Sequence, residues 1–384
     1  MTSSTQHNYD ELAIQEHEAL GGKIEVVAKR KLKSERDLSI FYTPGVGAVS
    51  KLIAADPGRV KDLTIKSRMV AVISDGSAVL GLGNVGPGAA LPVMEGKAML
   101  FKELAGVDAF PICLDTQDPE EVVTTIKNIA PVFAGINLED IAAPHCFDIE
   151  QRLQEALNIP VIHDDQHATA IAVLAGLINA LKVTNKKKED CRAVIIGSGA
   201  AGSGVARLLV KWGLGDVTMV DSKGIISHTR TDLDPNKIEL LEITNKQNIE
   251  GGLKEAIAGS DIILGLSHAD LLSADDIRSM RKDPIVFAMA NPKPEIDPEL
   301  ALSAGAAVVA TGRSDYPNQI NNVLVFPGMF KGAIATGTNH ISDDIKLRAA
   351  ENLARVVSNP IPSKVIPTVF EKGVVEAIVS SFSA

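Results

Sequence analysis

Aromatic residues make up only 4% of this 384-residue chain, which holds one Trp and three Tyr. Its core must therefore be built from Ala, Val, Ile and Leu, as in buried parallel strands covered by helices. Cysteine is equally scarce. Cys113, Cys146 and Cys191 make neither an even set nor a Cys-x-x-Cys pair, which excludes a disulfide framework and points to a reducing compartment. There is no basic excess: 38 Lys and Arg face 48 Asp and Glu, a formal net charge of −10. That excludes a nucleic-acid binder, which would display a basic face. No apolar run is long enough to span a bilayer. The longest, Ala168 to Leu181, covers 14 positions and contains Thr169 and Asn179, which suits a buried helix. The opening MTSSTQHNYDE lacks the charged-then-apolar order of a secretion signal. The expected location is the cytoplasm, with no membrane partner. A small anionic substrate would need positive charge supplied locally, by a metal or a lysine.

What is present is a rhythm of short apolar runs and helical stretches. MVAVIS (69–74), residues 107–114, 132–136 and 159–165 read as four strands. Residues 11–35 read as one or two helices, and FYTPGVG (41–47) as a loop. A helix is expected over Ala168 to Leu181, followed by a solvated charged turn, NKKKED (185–190). From residue 192 to 310, RAVIIG, VTMVD, DIILGLS, PIVFAMAN and AAVVATG alternate with helical stretches, the pattern of a doubly wound parallel sheet. The C-terminal stretch from Ile345 reads as helical, with a break at Asn359 to Pro362. The fold class is α/β.

Gly197-Ser198-Gly199-Ala200-Ala201-Gly202 follows an apolar run and opens a helix. This G-x-G-x-x-G pattern permits a tight turn, close approach of a pyrophosphate, and close helix–strand packing. Asp221 closes VTMVD 24 positions after Gly197, where an acid binds ribose hydroxyls. A Rossmann-type dinucleotide site follows. Asp221 favours NAD, because its charge repels a 2′-phosphate. Ser222, Lys223 and Arg230 lie nearby, and Lys223 could compensate, so NADP stays open.

Two acidic pairs, Glu139-Asp140 and Asp164-Asp165, lie at predicted C-terminal strand ends, where α/β sheets place their ligands. All-oxygen donors suit Mg²⁺ or Mn²⁺. His163 and His167 offer a rival, since an i, i+4 His pair binds zinc on a helix; that would make a zinc hydrolase. However, Pro160 places His163 on a strand end, and no H-E-x-x-H glutamate is present. A nucleotide-binding protein without catalysis is the other alternative. Lys97 lies in the apolar segment LPVMEGKAML, where burial would lower its pKa toward a general base's range.

Taken together, FYTPGVG, SDGSAVLGLGNVGPGA, LPVMEGKA, NLEDI, HDDQHATA, IIGSGAAG, MANPKPE and NQINNVLVFPG occur in an order that resembles the small, bacterial-type malic enzymes, over residues 41–328. The resemblance implies a metal-dependent oxidative decarboxylation of malate to pyruvate with reduction of NAD or NADP. It makes Tyr42 the general acid, Lys97 the general base, and Asp164 a carboxylate orienting that lysine. It makes Glu139, Asp140 and Asp165 the metal ligands. Asn291 and Asn322 become contacts to substrate or nicotinamide. It also implies a homodimer with the N-terminal segment at or near the interface. The larger malic enzymes carry an Arg after the Asp-Gly dipeptide to grip a substrate carboxylate; here Ser77 and Ala78 stand there. Helix N-termini, Ser or Thr hydroxyls and Arg313 are the substitutes to consider. The expected organisation is a catalytic domain, residues 1–164 plus 322–384, with a dinucleotide-binding domain, 165–321, inserted into it and a closable cleft between.

Overall fold

The computed structural model describes residues 3–383. The chain opens with α1 (Ser3–Leu20), an irregular stretch, α2 (Glu35–Phe41), α3 (Val46–Ala55) and the single turn α4 (Val60–Leu63). Ser34 caps α2 by accepting a hydrogen bond from Asp37 N at 3.2 Å. Neither α2 nor α3 contains a buried residue, so this arm lies outside the core.

The first sheet follows as β1 (Met69–Ser74), α5 (Gly86–Leu100), β2 (Asp108–Cys113), α6 (Pro119–Ile129), β3 (Gly135–Leu138), α7 (His145–Ala156) and β4 (Val161–His163). Its four strands are parallel in the order β2-β1-β3-β4. α8 (Asp164–Thr184) then leads to the second sheet: β5 (Arg192–Ile196), α9 (Ala200–Trp212), β6 (Asp216–Asp221), β7 (Gly224–Ile225), α10 (Pro235–Leu241), α11 (Leu253–Ile257), β8 (Ile262–Gly265), α12 (Ala274–Arg278), β9 (Ile285–Ala288), α13 (Pro298–Ser303) and β10 (Val308–Thr311). The order is β10-β9-β8-β5-β6-β7, parallel except for β7. α14 (Phe326–Thr336), α15 (Asp343–Val356) and α16 (Val374–Val379) close the chain.

The two sheets share one logic. In each, the first strand in sequence is flanked by the second on one side and the next parallel strand on the other. The winding therefore reverses at β1/β3 and at β5/β8. Crevices open beyond the C-terminal strand ends at such reversal points, and both lead into one cavity.

α8 is the spine. Fourteen of its residues are buried, from Asp164 to Leu181, so its apolar character belongs to the protein interior. Its buried Asn179 donates to Ala354 O at 2.8 Å and Val365 O at 3.0 Å, tying α8 to the C-terminal segment. α14 returns to the first unit, where Phe326 and Phe330 stack against Phe101 at 4.7 and 5.4 Å between centroids.

Three local expectations need correction. The third strand begins at Gly135 rather than residue 132, because Ala130–Val132 forms a 3₁₀ turn. Pro131 suits that turn and cannot donate to a strand ladder. Asp164 and Asp165 form the first turn of α8 instead of preceding the helix, since the helix N-terminus favours negative charge. NKKKED is not simply solvated: Lys186 reaches Asp261 at 2.9 Å, and Lys188 lies over the Trp212 ring at 4.5 Å.

Candidate active site

The four acids of the two pairs and Lys97 meet at the reversal point of the first sheet. Glu139 and Asp140 leave the end of β3, and Asp164 and Asp165 open α8 after β4. The neighbouring strands are hydrogen-bonded in register, with Leu138 opposite His163, which brings the two pairs side by side. Glu139, Asp140 and Asp165 each offer an oxygen within 4.8 Å of the others. Asp140 adopts φ +53, uncommon for a residue with a Cβ. Its N–H donates to Asp165 Oδ2 at 3.0 Å, and its carbonyl accepts from Ala78 N at 3.0 Å. Asp140 Oδ2 is buried with no partner.

Lys97 projects from α5 into this acidic set. Its Nζ lies 2.5 Å from Asp164 Oδ2, 2.5 Å from Glu139 Oε2, and 4.6 Å from the centroid of the Phe326 ring. Four carboxylates thus face one ammonium. Burial, then repulsion by Asp165, pushes the Asp140 carboxyl up to about 7. Glu139 rises well above its ordinary value, chiefly through burial, which the Lys97 charge only partly offsets. For Lys97, burial is again the largest influence and works downward. The charges of Asp164, Glu139 and Asp165 outweigh it and raise the pKa. Burial alone therefore does not set the direction, as the sequence suggested it would; the carboxylates around Lys97 do.

The second sheet supplies the opposite wall. Gly197 has φ +110, and a Cβ there would come within 2.5 Å of Leu266 O. A Cβ on Gly202 would overlap the carbonyl of Gly197. Gly199, Ala200, Ala201 and Gly202 line the cavity of about 770 Å³ shared with Lys97, Glu139, Asp140 and Asp165. Ser198 lies just behind this wall, and its carbonyl accepts from Ser203 Oγ at 3.3 Å. Asn291 and Asn322 line the same cavity, with Leu266 and Ser267 from the end of β8.

Several residues behave otherwise than the sequence suggests. Tyr42 does not line the cavity; its side chain is 66% exposed at the end of α2. His163 is wholly buried, with both ring nitrogens unpartnered and 3.9 Å from Asp165. His167 is held by the buried Glu150 at 3.0 Å. The pair therefore forms no metal cluster among the described residues, which removes the zinc-hydrolase alternative. Asp221 is saturated: Oδ1 accepts from Arg230 Nη1 at 2.7 Å and Lys223 N at 2.9 Å, and Oδ2 from Arg230 Nη2 at 3.0 Å and Lys237 Nζ at 2.9 Å. Although burial alone would raise it, these partners hold the Asp221 carboxyl down at about 2. Compensation comes from Arg230 and Lys237. The Lys223 ammonium pairs with Asp232 instead.

Sequence reasoning missed Glu295. It stands in MANPKPE without an assigned role, yet it is fully buried. It accepts from Ser267 N at 3.0 Å and Ala290 N at 3.1 Å, clamping together the loops after β8 and β9. It also missed Lys23, which lines the cavity from outside every motif, and Asn321, which lines it from within NQINNVLVFPG. The Pro flanking Glu295 was its only signal.

Comparison with known proteins gives a consistent picture. A family model for the malic enzyme N-terminal domain matches residues 21–154, and one for the malic enzyme NAD-binding domain matches 166–375. An NAD-dependent malic enzyme of Geobacillus stearothermophilus is 54% identical over 361 residues, 94% of this chain and 75% of that protein. An NADP-dependent malic enzyme of Rhizobium meliloti is 47% identical over 348 residues, 90% of this chain and 45% of that longer protein. The crystal structure of an NAD-dependent malic enzyme from Thermotoga maritima superimposes with a TM-score of 0.94 at 46% identity, covering 97% of this chain and 99% of that one.

Proposed function

Because this chain belongs to the malic enzyme family, we propose that its cavity oxidatively decarboxylates malate to pyruvate and CO₂ while reducing NAD or NADP. The observation that carries the reading is the meeting of an acid triad, a buried lysine and a dinucleotide turn on one crevice. The test is direct. Malate, Mn²⁺ and each oxidised nucleotide in turn should produce the absorbance of the reduced nicotinamide together with stoichiometric pyruvate. Nucleotide binding without any malate-dependent reduction would favour the non-catalytic alternative.

Glu139, Asp140 and Asp165 fit a divalent cation. They offer only oxygen, they converge, and Asp140 Oδ2 is buried without a partner. Mg²⁺ or Mn²⁺ suits that donor set. When bound, the cation would polarise substrate oxygens and absorb carboxylate charge that otherwise holds the proton on Lys97, while the nicotinamide accepts hydride. Lys97 takes the proton of the malate hydroxyl as hydride leaves the same carbon. The β-carboxylate then departs as CO₂, its bonding electrons form an enolate, and a proton delivered to C3 completes pyruvate. Asp164 orients Lys97 across their 2.5 Å contact. Asn291 and Asn322 position substrate and nicotinamide from the opposite wall. Lys97, Asp164 and Glu139 are buried side by side, where fixed charges act strongly.

Tyr42 delivers the proton to C3 from a second copy of the chain. Its own cavity is out of its reach, and the arm carrying it exposes Leu38, Ile40, Phe41, Val46, Val49 and Leu52. So continuous an apolar face suits a subunit contact. A homodimer in which each arm completes the other site follows.

The charge on Asp221 does not exclude NADP, since Arg230 and Lys237 neutralise it. We therefore read the site as accepting NAD and tolerating NADP. The boundary between substrate and nucleotide units is placed at residues 164/165 and 321/322, at either end of the second-sheet segment. Three free cysteines suit the cytoplasm.

A further inference from the structure

We infer that Lys23 is a substrate-anchoring residue of this cavity, its ammonium holding a carboxylate of the dianionic substrate. The inference rests on the malate reading above and concerns how that substrate is gripped.

The need comes from charge. A dicarboxylate must enter a cavity lined by Glu139, Asp140 and Asp165, with Asp164 just behind. A divalent cation offsets part of this. Lys97 offsets little more, because its ammonium already serves two carboxylates at 2.5 Å each. Position 78, where an arginine would stand in the larger relatives, is an alanine on the cavity wall. The Ser77 hydroxyl is committed to Asp75 at 2.5 Å and to Ala142 N at 2.8 Å. Arg313 grips Asp315 at 2.6 and 2.8 Å and Pro292 O at 2.8 Å, and does not line the cavity.

Lys23 is the remaining cation among the described residues of that wall. The segment holding it is pinned by its own N–H, which donates to Glu95 Oε2 at 3.2 Å. Its Nζ donates to Pro92 O at 2.7 Å. An ammonium has three N–H donors, so two stay free. No carboxylate lies within ion-pairing distance of that Nζ among the described residues. A Cβ built on Gly96 would come within 3.4 Å of the Nζ, so the ammonium rests on α5 between Pro92 and Gly96, the residue before Lys97. Pro92, Val93, Gly96, Lys97 and Leu100 form that face, and all line the cavity. Burial partly strips water from the ammonium and lowers its pKa, against the raising influence of Glu95. A half-desolvated cation with open donors and no ion-pair partner is an anion site awaiting its anion.

Two variants of the full-length enzyme test this: Lys23→Gln, which removes the charge, and Lys23→Arg, which keeps it. With malate, Mn²⁺ and NAD, Lys23→Gln should raise the KM for malate roughly 10- to 100-fold, the loss of one charge-assisted contact. Its KM for NAD should stay within about twofold, and its melting temperature should match that of the wild type. Lys23→Arg should recover most of the malate affinity. An unchanged malate KM in Lys23→Gln overturns the assignment. So does a parallel rise in the KM for NAD, or a Lys23→Arg enzyme as impaired as Lys23→Gln, since either means a structural role. If the wild-type enzyme itself shows no malate-dependent nucleotide reduction, the malate reading fails; an active wild type with an indifferent Lys23→Gln rejects the anchor alone.

Discussion

Lys97 Nζ lies 2.5 Å from Asp164 Oδ2, a carboxylate with no solvent exposure. The contact joins α5 to the first turn of α8 and fixes the direction in which the ammonium points. A base so placed has one site to serve. Replacing Lys97 by Ala should lower kcat for malate oxidation by about 10²–10⁴, the usual worth of a positioned proton acceptor, and leave NAD affinity intact. Asp164→Asn should lower kcat with a smaller change in the KM for malate. Steady-state kinetics together with nucleotide titration distinguish the two, and near-wild-type turnover in Lys97→Ala would remove the lysine as base.

Metal removal should silence the enzyme. Dialysis against EDTA is expected to abolish malate oxidation, and Mn²⁺ or Mg²⁺ to restore it. Glu139→Gln should lose most Mn²⁺ affinity in a calorimetric titration, because it removes one oxygen charge from a three-acid set. Full activity in chelated buffer would leave the acids without a cation.

The dinucleotide turn tolerates no side chain at position 202. Gly202→Ala places a Cβ onto the Gly197 carbonyl, and the turn must shift to accommodate it. NAD binding should weaken roughly tenfold or more, about 1.4 kcal/mol, read by fluorescence titration. An unaltered dissociation constant would show that the pyrophosphate does not approach this turn.

Cofactor discrimination should turn on the partners of Asp221. Arg230→Ala frees the Asp221 carboxylate from its two-pronged contact and should lower the NADP-to-NAD ratio of kcat/KM. Asp221→Ser should raise it. Ratios that move in neither variant would separate Asp221 from the ribose.

Sharing of sites between subunits predicts complementation. Tyr42→Phe and Lys97→Ala should each be nearly inactive alone. Unfolded and refolded together in equal amounts, they should regain about a quarter of wild-type activity, because half of the dimers carry one intact site. Sedimentation of the wild type should give a dimer. A monomeric, fully active enzyme would end this reading.

Much of the fold was legible because its signals are local. Gly197 to Gly202, the apolar strand runs and the acids at strand ends each declare themselves within a few residues. What escaped depends on partners distant in sequence. Lys97 looked poised to lose its proton because the carboxylates around it come from 42 and 67 positions away. The compensating charge at Asp221 was assigned to the wrong lysine, because Arg230 and Lys237 reach it only after the chain has turned back through β7, while Lys223 pairs with Asp232. Tyr42 looked adjacent to the chemistry because a motif carries no information about where the fold sets it, which is exposed at the end of α2 and off the cavity wall. Pro131 moved a strand start by three residues, a shift that hydrophobic pattern alone does not encode.

The packing of α8 settles where traffic can occur. Gly204 of α9 meets the backbone of Gln166 so closely that no Cβ fits between them, and β3 is laddered to β4. The acids and the dinucleotide turn therefore ride on a single stiff floor. The rim is different: Leu80 and Leu82 are 65% and 71% exposed, and Gly81 abuts the carbonyl of Asn291 across the mouth. This rim, where the loop after the first strand meets the Asn291-Pro292 peptide, is the exposed border of the cavity, while the acids and the dinucleotide turn lie on its packed side.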